Sequence, residues 1–234
     1  MKPKGFAPTV LMIGAIFGYL SAAFPQEKLR WYSFGNTPNE DAVLKYLVPS
    51  LSSAGKASLL YYSGAYDPKG SDPIPFPLLD LQPPSKGETG LAAVREIFQN
   101  DKNVTVSEEP SGIIAIRVGD ISPEILETKI SLLSLDSTEQ YSPGDAITAI
   151  EKTKEVEASM RRFRFRPTLN LGGQVVEPGE GFPHLPPSMK NVTVDQALDL
   201  IAQAFGGIVV YGVCAQPDGT RLLYIDVAYA QFKN

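Results

Sequence analysis

The sequence predicts an α+β protein built from small helix-plus-β-hairpin modules in two copies, joined by a helical connector. Three observations predict it. The order helix, strand, turn, strand occurs over residues 90–118 and again over 191–227. The closing strands of those units, IIAIRV (113–118) and LLYIDV (222–227), match in pattern almost position for position. Between the units, Ile121–Leu133 and Ser142–Met160 read as helical, the second opened by Ser142-Pro143 with Asp145 at the third helical position.

The last unit is the clearest. Val194, Ala197, Leu198, Ile201 and Phe205 recur at the spacing of one helix face. Thr193 is the expected N-cap and Gly206-Gly207 the stop. IVVYGV then reads as a strand, CAQPDGTR as a loop with a Pro-Asp-Gly turn, and LLYIDV as a second strand. In the middle unit Leu91, Val94 and Phe98 form the helix stripe, followed by the strand NVTVS, the turn EEPSG and the strand IIAIRV, with FPLLDL as a strand leading in. A looser first unit starts at a capping box, Thr37 to Glu40, with Val43, Tyr46, Leu47 and Leu51 as the stripe. Pro49 is expected to kink or end that helix. SLLYY is its strand, and the proline-rich AYDPKGSDPIP stands where a tight turn would be.

The N-terminus has the order of a secretory signal peptide. Lys2 and Lys4 precede the apolar run Val10–Leu20, and Ser21-Ala22-Ala23 supplies small residues for cleavage. The competing expectation is an uncleaved inner-membrane anchor through residues 6–24, a tether for the rest of the chain. Both put the remainder outside the cytoplasm, periplasmic or secreted. The expected organisation is a signal peptide or anchor at 1–23 and an α+β region at 24–120 with a module at 76–118. A helical connector and basic strand at 121–171, a Gly/Pro-rich loop at 172–190 and a second module at 191–234 complete it.

Composition narrows the function classes. The 234 residues carry a formal charge of −5, and losing residues 1–23 removes two lysines and no acids, which makes it −7. That surface argues against nucleic-acid backbone binding. The one cysteine, Cys214, leaves an exported chain no internal disulfide and reads as a small buried hydrophobe on a strand. One histidine, His184 in GFPHLPP, excludes multi-histidine metal sites and reads as an exposed loop residue. No phosphate-cradling glycine motif, calcium loop or serine elbow is present, so neither cofactor nor metal is expected. Glu108-Glu109, next to Pro110-Ser111-Gly112, reads as a solvated turn. The sequons at Asn103 and Asn191 stand where Asn and Thr cap or turn the chain.

The local charge anomaly is RRFRFR at 161–166. As a strand it would set Phe163 and Phe165 against Arg162, Arg164 and Arg166, a pattern able to dock on an acidic partner or to stand as a protected edge paired with the chain's own acids. Arg162, Arg164 and Arg166 are therefore candidate partner-binding residues, with Tyr61 and Tyr62 of LLYYSGAY as aromatic candidates.

NVTVDQALDLIAQAFGGIVVY, with Val192, Thr193, Val194, Ala197, Leu198, Ile201, Phe205, Gly206 and Gly207 at the matching places, resembles the short N-terminal (STN) domain of secretins and TonB-dependent receptors. Residues 76–118 look like a second, more divergent copy. The resemblance implies a periplasmic module that works by contacting other proteins. The chain shows no secretin region or barrel strands, so channel and receptor activities do not carry over. The functional expectation is an exported, non-enzymatic protein-binding or assembly module of a bacterial envelope whose partner is another envelope protein. The alternative is an envelope hydrolase or small-ligand-binding protein with a site the sequence does not reveal.

Overall fold

SLLYY is buried along its whole length, the mark of a strand covered on both faces, and it lies at the centre of the structure. The computed structural model describes residues 30–32, 38–69, 74–168 and 182–231. Its elements are β1 (Arg30–Tyr32), α1 (Pro38–Ala54), β2 (Ser58–Gly64), α2 (Gly90–Ile97), β3 (Val104–Glu108), β4 (Ile114–Val118) and β5 (Lys129–Ser134). Then come α3 (Ser137–Tyr141), α4 (Pro143–Glu151), α5 (Lys154–Phe163), β6 (Phe165–Pro167), β7 (Ser188–Thr193), α6 (Val194–Phe205), β8 (Ile208–Ala215) and β9 (Arg221–Gln231).

Helices and a mixed sheet make this an α+β protein. The main sheet has the order β1-β9-β8-β2-β4-β3, with β6 beside β9. Its three middle strands run parallel: Tyr61 of β2 stands between Arg117 of β4 and Tyr211 of β8. The hairpins β3–β4 and β8–β9 are antiparallel and flank β2 on either side. Both helix–hairpin units expected from sequence therefore exist as local structure, but they share one sheet. β2, the strand of the loosest unit, joins them.

Each face carries its own core. On one, Val43, Leu47 and Leu51 of α1 and Val94 and Ile97 of α2 meet Leu60, Tyr62, Ile114, Ile116 and Val210. On the other, Ile147 and Ile150 of α4 and Leu198, Ile201 and Phe205 of α6 meet Leu59, Tyr61, Ala115, Val209 and Ile225. Burial of these side chains is the main stabilising term. Cys214 is buried in the first core.

Local chemistry sets the ends of α6. The Thr193 hydroxyl accepts from the Gln196 backbone N–H, the Gln196 side chain returns to the Thr193 N–H, and Gly206 closes the helix at φ 59°. Ser142 caps α4 through the Asp145 N–H. The Thr37 end of the expected capping box lies outside the described residues, as does the N-terminal segment. Among the described residues no helix is long and apolar enough to cross a membrane.

Several expectations are corrected. Pro49 neither ends nor breaks α1, which runs on to Ala54 with Leu47 and Leu51 buried on either side of it. Ile121–Leu133 is not a helix: after a turn, β5 pairs antiparallel with β7. Ile130 and Leu133, both buried, mimic a helical i, i+3 stripe, and Asn191 in the partner strand takes a left-handed φ of 54°. β7 itself begins inside the stretch expected to be a loop. Ser142–Met160 is two helices, with the Thr153 hydroxyl closing on the Ile150 carbonyl between them. FPLLDL forms no strand; its Phe76 is buried against Tyr62, ring centroids 4.7 Å apart.

The tightest cross-strand fit is at Tyr62 and Gly212, paired across β2 and β8. A Cβ at Gly212 would overlap the Tyr62 ring. Gly212→Ala is expected to lower stability by about 1–3 kcal/mol, the usual cost of overpacking, read as a lower urea midpoint with an unchanged slope.

Candidate functional site

One rung of the sheet carries most of the polar chemistry. Thr105 of β3, Arg117 of β4, Tyr61 of β2 and Tyr211 of β8 lie side by side in register. From β2 the chain leaves toward the α2 face, with Ile74 and Phe76 in that core; from β4 it leaves toward the α6 face, with Ile125 and Leu126 in the other. Where neighbouring parallel strands part to opposite faces, a crevice opens at their carboxyl ends. A crevice of about 400 Å³ lies at the carboxyl end of β4. Thr105, Arg117, Asp120, Glu127 and Asp195 line it, with Ile121, Pro123 and Leu126 as apolar wall.

The site is built around Tyr61. Its hydroxyl donates to Asp195 Oδ1 at 2.6 Å, and the Arg117 guanidinium lies over its ring at 4.9 Å. Burial, reinforced by Asp195, drives the Tyr61 pKa far above the phenol range, so the group is a fixed donor. Arg117 Nη1 donates to Glu109 Oε1 at 3.2 Å and to Ser107 Oγ at 3.4 Å. One turn along α6, Asp199 accepts from the Ser111 hydroxyl at 3.4 Å, and beyond it Gln203 donates to the Ser111 carbonyl at 3.3 Å. Asp195, Asp199 and Gln203, four residues apart, thus form one flank of α6 turned to the β3–β4 hairpin. Burial, then the charges of Asp195 and Glu109, raise the Asp199 pKa to about 6.

Two neighbouring groups complete the picture. Under the loop after β4, the Ser122 hydroxyl and Arg221 (Nη1 at 2.8 Å) hold Glu124 down to about 2. The buried Tyr211 hydroxyl has no hydrogen-bond partner among the described residues. At the opposite end of the α6 flank a wider concavity of about 770 Å³ is lined by Lys56, Ser111, Gly112, Phe182, His184 and Gln203, among others. His184 is exposed there, its ring stacked on Tyr141 at 5.2 Å and Nδ1 3.0 Å from the Phe182 carbonyl. Lys56 is held by Glu108 at 2.6 Å.

The candidates from sequence are scattered. Arg162 is in the last turn of α5, Arg164 caps that helix at φ 60°, and Arg166 is in β6. RRFRFR is therefore a helix end, a left-handed turn and a three-residue strand, and the alternating strand is corrected. All three arginines are exposed; the Arg164 Nη2 donates to the Asp218 carbonyl at 2.8 Å, and the Asp218 carboxyl is depressed first by its hydrogen bonds with Thr220 and then by the charges of Arg166 and Arg164. Tyr61 and Tyr62 are each 1% exposed and project into opposite cores, so neither ring is offered to a partner. Sequence reasoning missed Thr105, Arg117, Asp120, Glu127, Asp195 and Asp199. Its available signal was Asp195 and Asp199 at i, i+4 on the polar side of the α6 stripe.

The arrangement offers fixed hydrogen-bond donors and carboxylates rather than a nucleophile beside a base. Among the described residues no group of three His, Cys, Asp or Glu side chains is placed to hold a metal ion. Compared with known proteins, the chain matches no family model, no curated protein and no solved structure.

The raised pKa of Asp199 has a defined consequence for stability. The folded state holds its proton more tightly than the unfolded state, whose ordinary value is 3.8, so Asp199 costs stability as pH rises from about 4 through 6 and above. Asp199→Asn keeps an acceptor for Ser111 and removes the charge. It is expected to match the parent below pH 4 and to exceed it by about 1 kcal/mol at pH 7, after a discount for solvent screening. Chemical denaturation at both pH values checks this.

Proposed function

We propose that this chain is an exported, non-enzymatic protein-binding module of a bacterial cell envelope, which takes an extended segment of another envelope protein along the free edge of β3. The observation that carries this reading is the edge itself. Among the described residues β3 pairs only with β4 and leaves a five-residue edge free, whereas at the other end of the sheet β9 is flanked by the three-residue strands β1 and β6. The hairpin bonds from Gly119 to the Asn103 carbonyl and from Glu109 to the Ile113 carbonyl fix the parity of the ladder. Val106 and Glu108 therefore turn their backbone groups outward, the arrangement that strand addition uses.

The basic start and apolar run of residues 1–23 support export or an N-terminal tether, and the resemblance of 76–118 and 191–211 to the STN domain supports a role in contacting other proteins. We propose that the two helix–hairpin units are divergent copies of such a module that have merged through β2. The reading predicts a periplasmic or secreted location. A hydrolase or small-ligand protein is favoured by a single observation, the raised Asp199 one helical turn from Asp195, which lines the crevice.

Val106→Pro tests the reading. An edge strand tolerates proline where the lost N–H faces outward, while the ring blocks a strand from pairing there. With a photo-crosslinking residue at Thr105 in native host cells, the parent is expected to trap one stoichiometric envelope protein, and Val106→Pro, folded by circular dichroism, to trap none. Trapping that persists undiminished in the proline variant, or no trapped protein in the parent, would sink the proposal.

A further inference from the structure

We infer that the crevice beside β3 seats a lysine or arginine side chain of the bound segment; the inference rests on the strand-addition reading. A strand added to β3 would lie about 4.8 Å from it and point every second side chain to the α6 face. The side chain opposite Thr105 then stands at the mouth of the 400 Å³ crevice, which Thr105 lines. What lines the crevice suits a long side chain with an apolar stem and a cationic tip. Ile121, Pro123 and Leu126 offer aliphatic wall for the methylenes.

The polar end is negative and unspent. Arg117 is already turned toward Glu109 and Ser107 and lies over the Tyr61 ring. Asp120 and Glu127, exposed at the rim, make no ion pair or side-chain hydrogen bond among the described residues. Asp195 is fixed on one oxygen by the Tyr61 hydroxyl and has no cationic partner among them either. A guanidinium or ammonium entering the crevice would meet carboxylates whose charge the fold leaves open. This places the recognition of partner sequence at one position of the added strand, with β3 backbone bonds supplying the rest. Charge pairs at such a rim act chiefly on specificity and association rate and weaken with salt.

The test uses the full chain and three capped hexapeptides, acetyl-Thr-Val-X-Val-Thr-Val-amide, with X lysine, acetyl-lysine or glutamate. Binding is followed through the backbone amide resonances of Thr105, Gly119 and Asp195. The lysine peptide is expected to bind roughly tenfold more tightly than the acetyl-lysine peptide, with the glutamate peptide weakest. The Asp120→Asn/Glu127→Gln double variant, which alters two exposed groups that hold nothing else, and Asp195→Asn, which still accepts from Tyr61, should each erase the lysine advantage. Val106→Pro should abolish binding of all three. If lysine and acetyl-lysine peptides bind equally, and both are lost in Val106→Pro, the inference fails while strand addition stands. If no peptide binds, or if binding survives Val106→Pro, the strand-addition reading falls and the inference with it.

Discussion

The parallel pairing of β2 with both β4 and β8 is the contact on which the rest of the structure depends. Without β2 the two hairpins would be separate ribbons, each too small to bury a core of its own. At one end of the strand the Ser58 N–H donates to the Gly207 carbonyl and its hydroxyl to the Ile114 carbonyl at 2.6 Å, so one residue ties both hairpins. In its middle, Tyr61 and Tyr62 point to opposite faces. Tyr62 fills the space over Gly212, and Tyr61 reaches out to Asp195 at the start of α6. The same strand thus closes one core and positions the polar rung of the other.

The groove follows from how α6 lies on that sheet. The helix packs over β2 and β8 and also touches β9, so the α6-facing side chains of β3 and the outer end of β4 stand beside it rather than beneath it. Those side chains, Thr105, Ser107, Glu109 and Arg117, are polar, whereas Ala115 and Ile113, closer to the helix, are buried. The step from apolar to polar along one hairpin marks where cover ends. The helix flank contributes Asp195 to the crevice and Gln203 to the wider concavity, with Asp199 between them. A free strand edge beside an acid-lined crevice gives both backbone and side-chain recognition, a combination that a flat surface lacks.

Local order was legible in the sequence because it is set by local rules. The α6 stripe, the Thr193 cap, the Gly206 stop and both hairpin turns depend on residues within a few positions, and each is present as expected. What was not legible depends on pairings distant in sequence. β5 looked helical because its two buried residues, Ile130 and Leu133, stand three apart, while its partner β7 lies about sixty residues on. Pro49 looked like a helix end because the flanking burial of Leu47 and Leu51 is invisible in the local pattern. The site was harder still. Arg117 reads as one polar position in an apolar strand, and only the register of β3, β4 and β2 brings it over Tyr61 and beside Glu109. Conversely, the densest charge in the sequence, RRFRFR, is spread over three kinds of backbone and drawn in part toward Asp218.

Local preference and global fold also conflict along the flank of α6, where Asp195 and Asp199 stand one turn apart. Like charges at that spacing work against the helix, and burial, then the charges of Asp195 and Glu109, raise the Asp199 pKa. Other acids in this chain do have cationic partners, as Glu124 has Arg221 and Glu108 has Lys56. It had cations to spare for the flank too, since Arg162 and Arg166 are exposed on other elements. Proteins keep such local conflicts chiefly where they serve a site. The α6 flank is thus the stretch where this chain gives up stability, and it is the same stretch that borders its free strand edge.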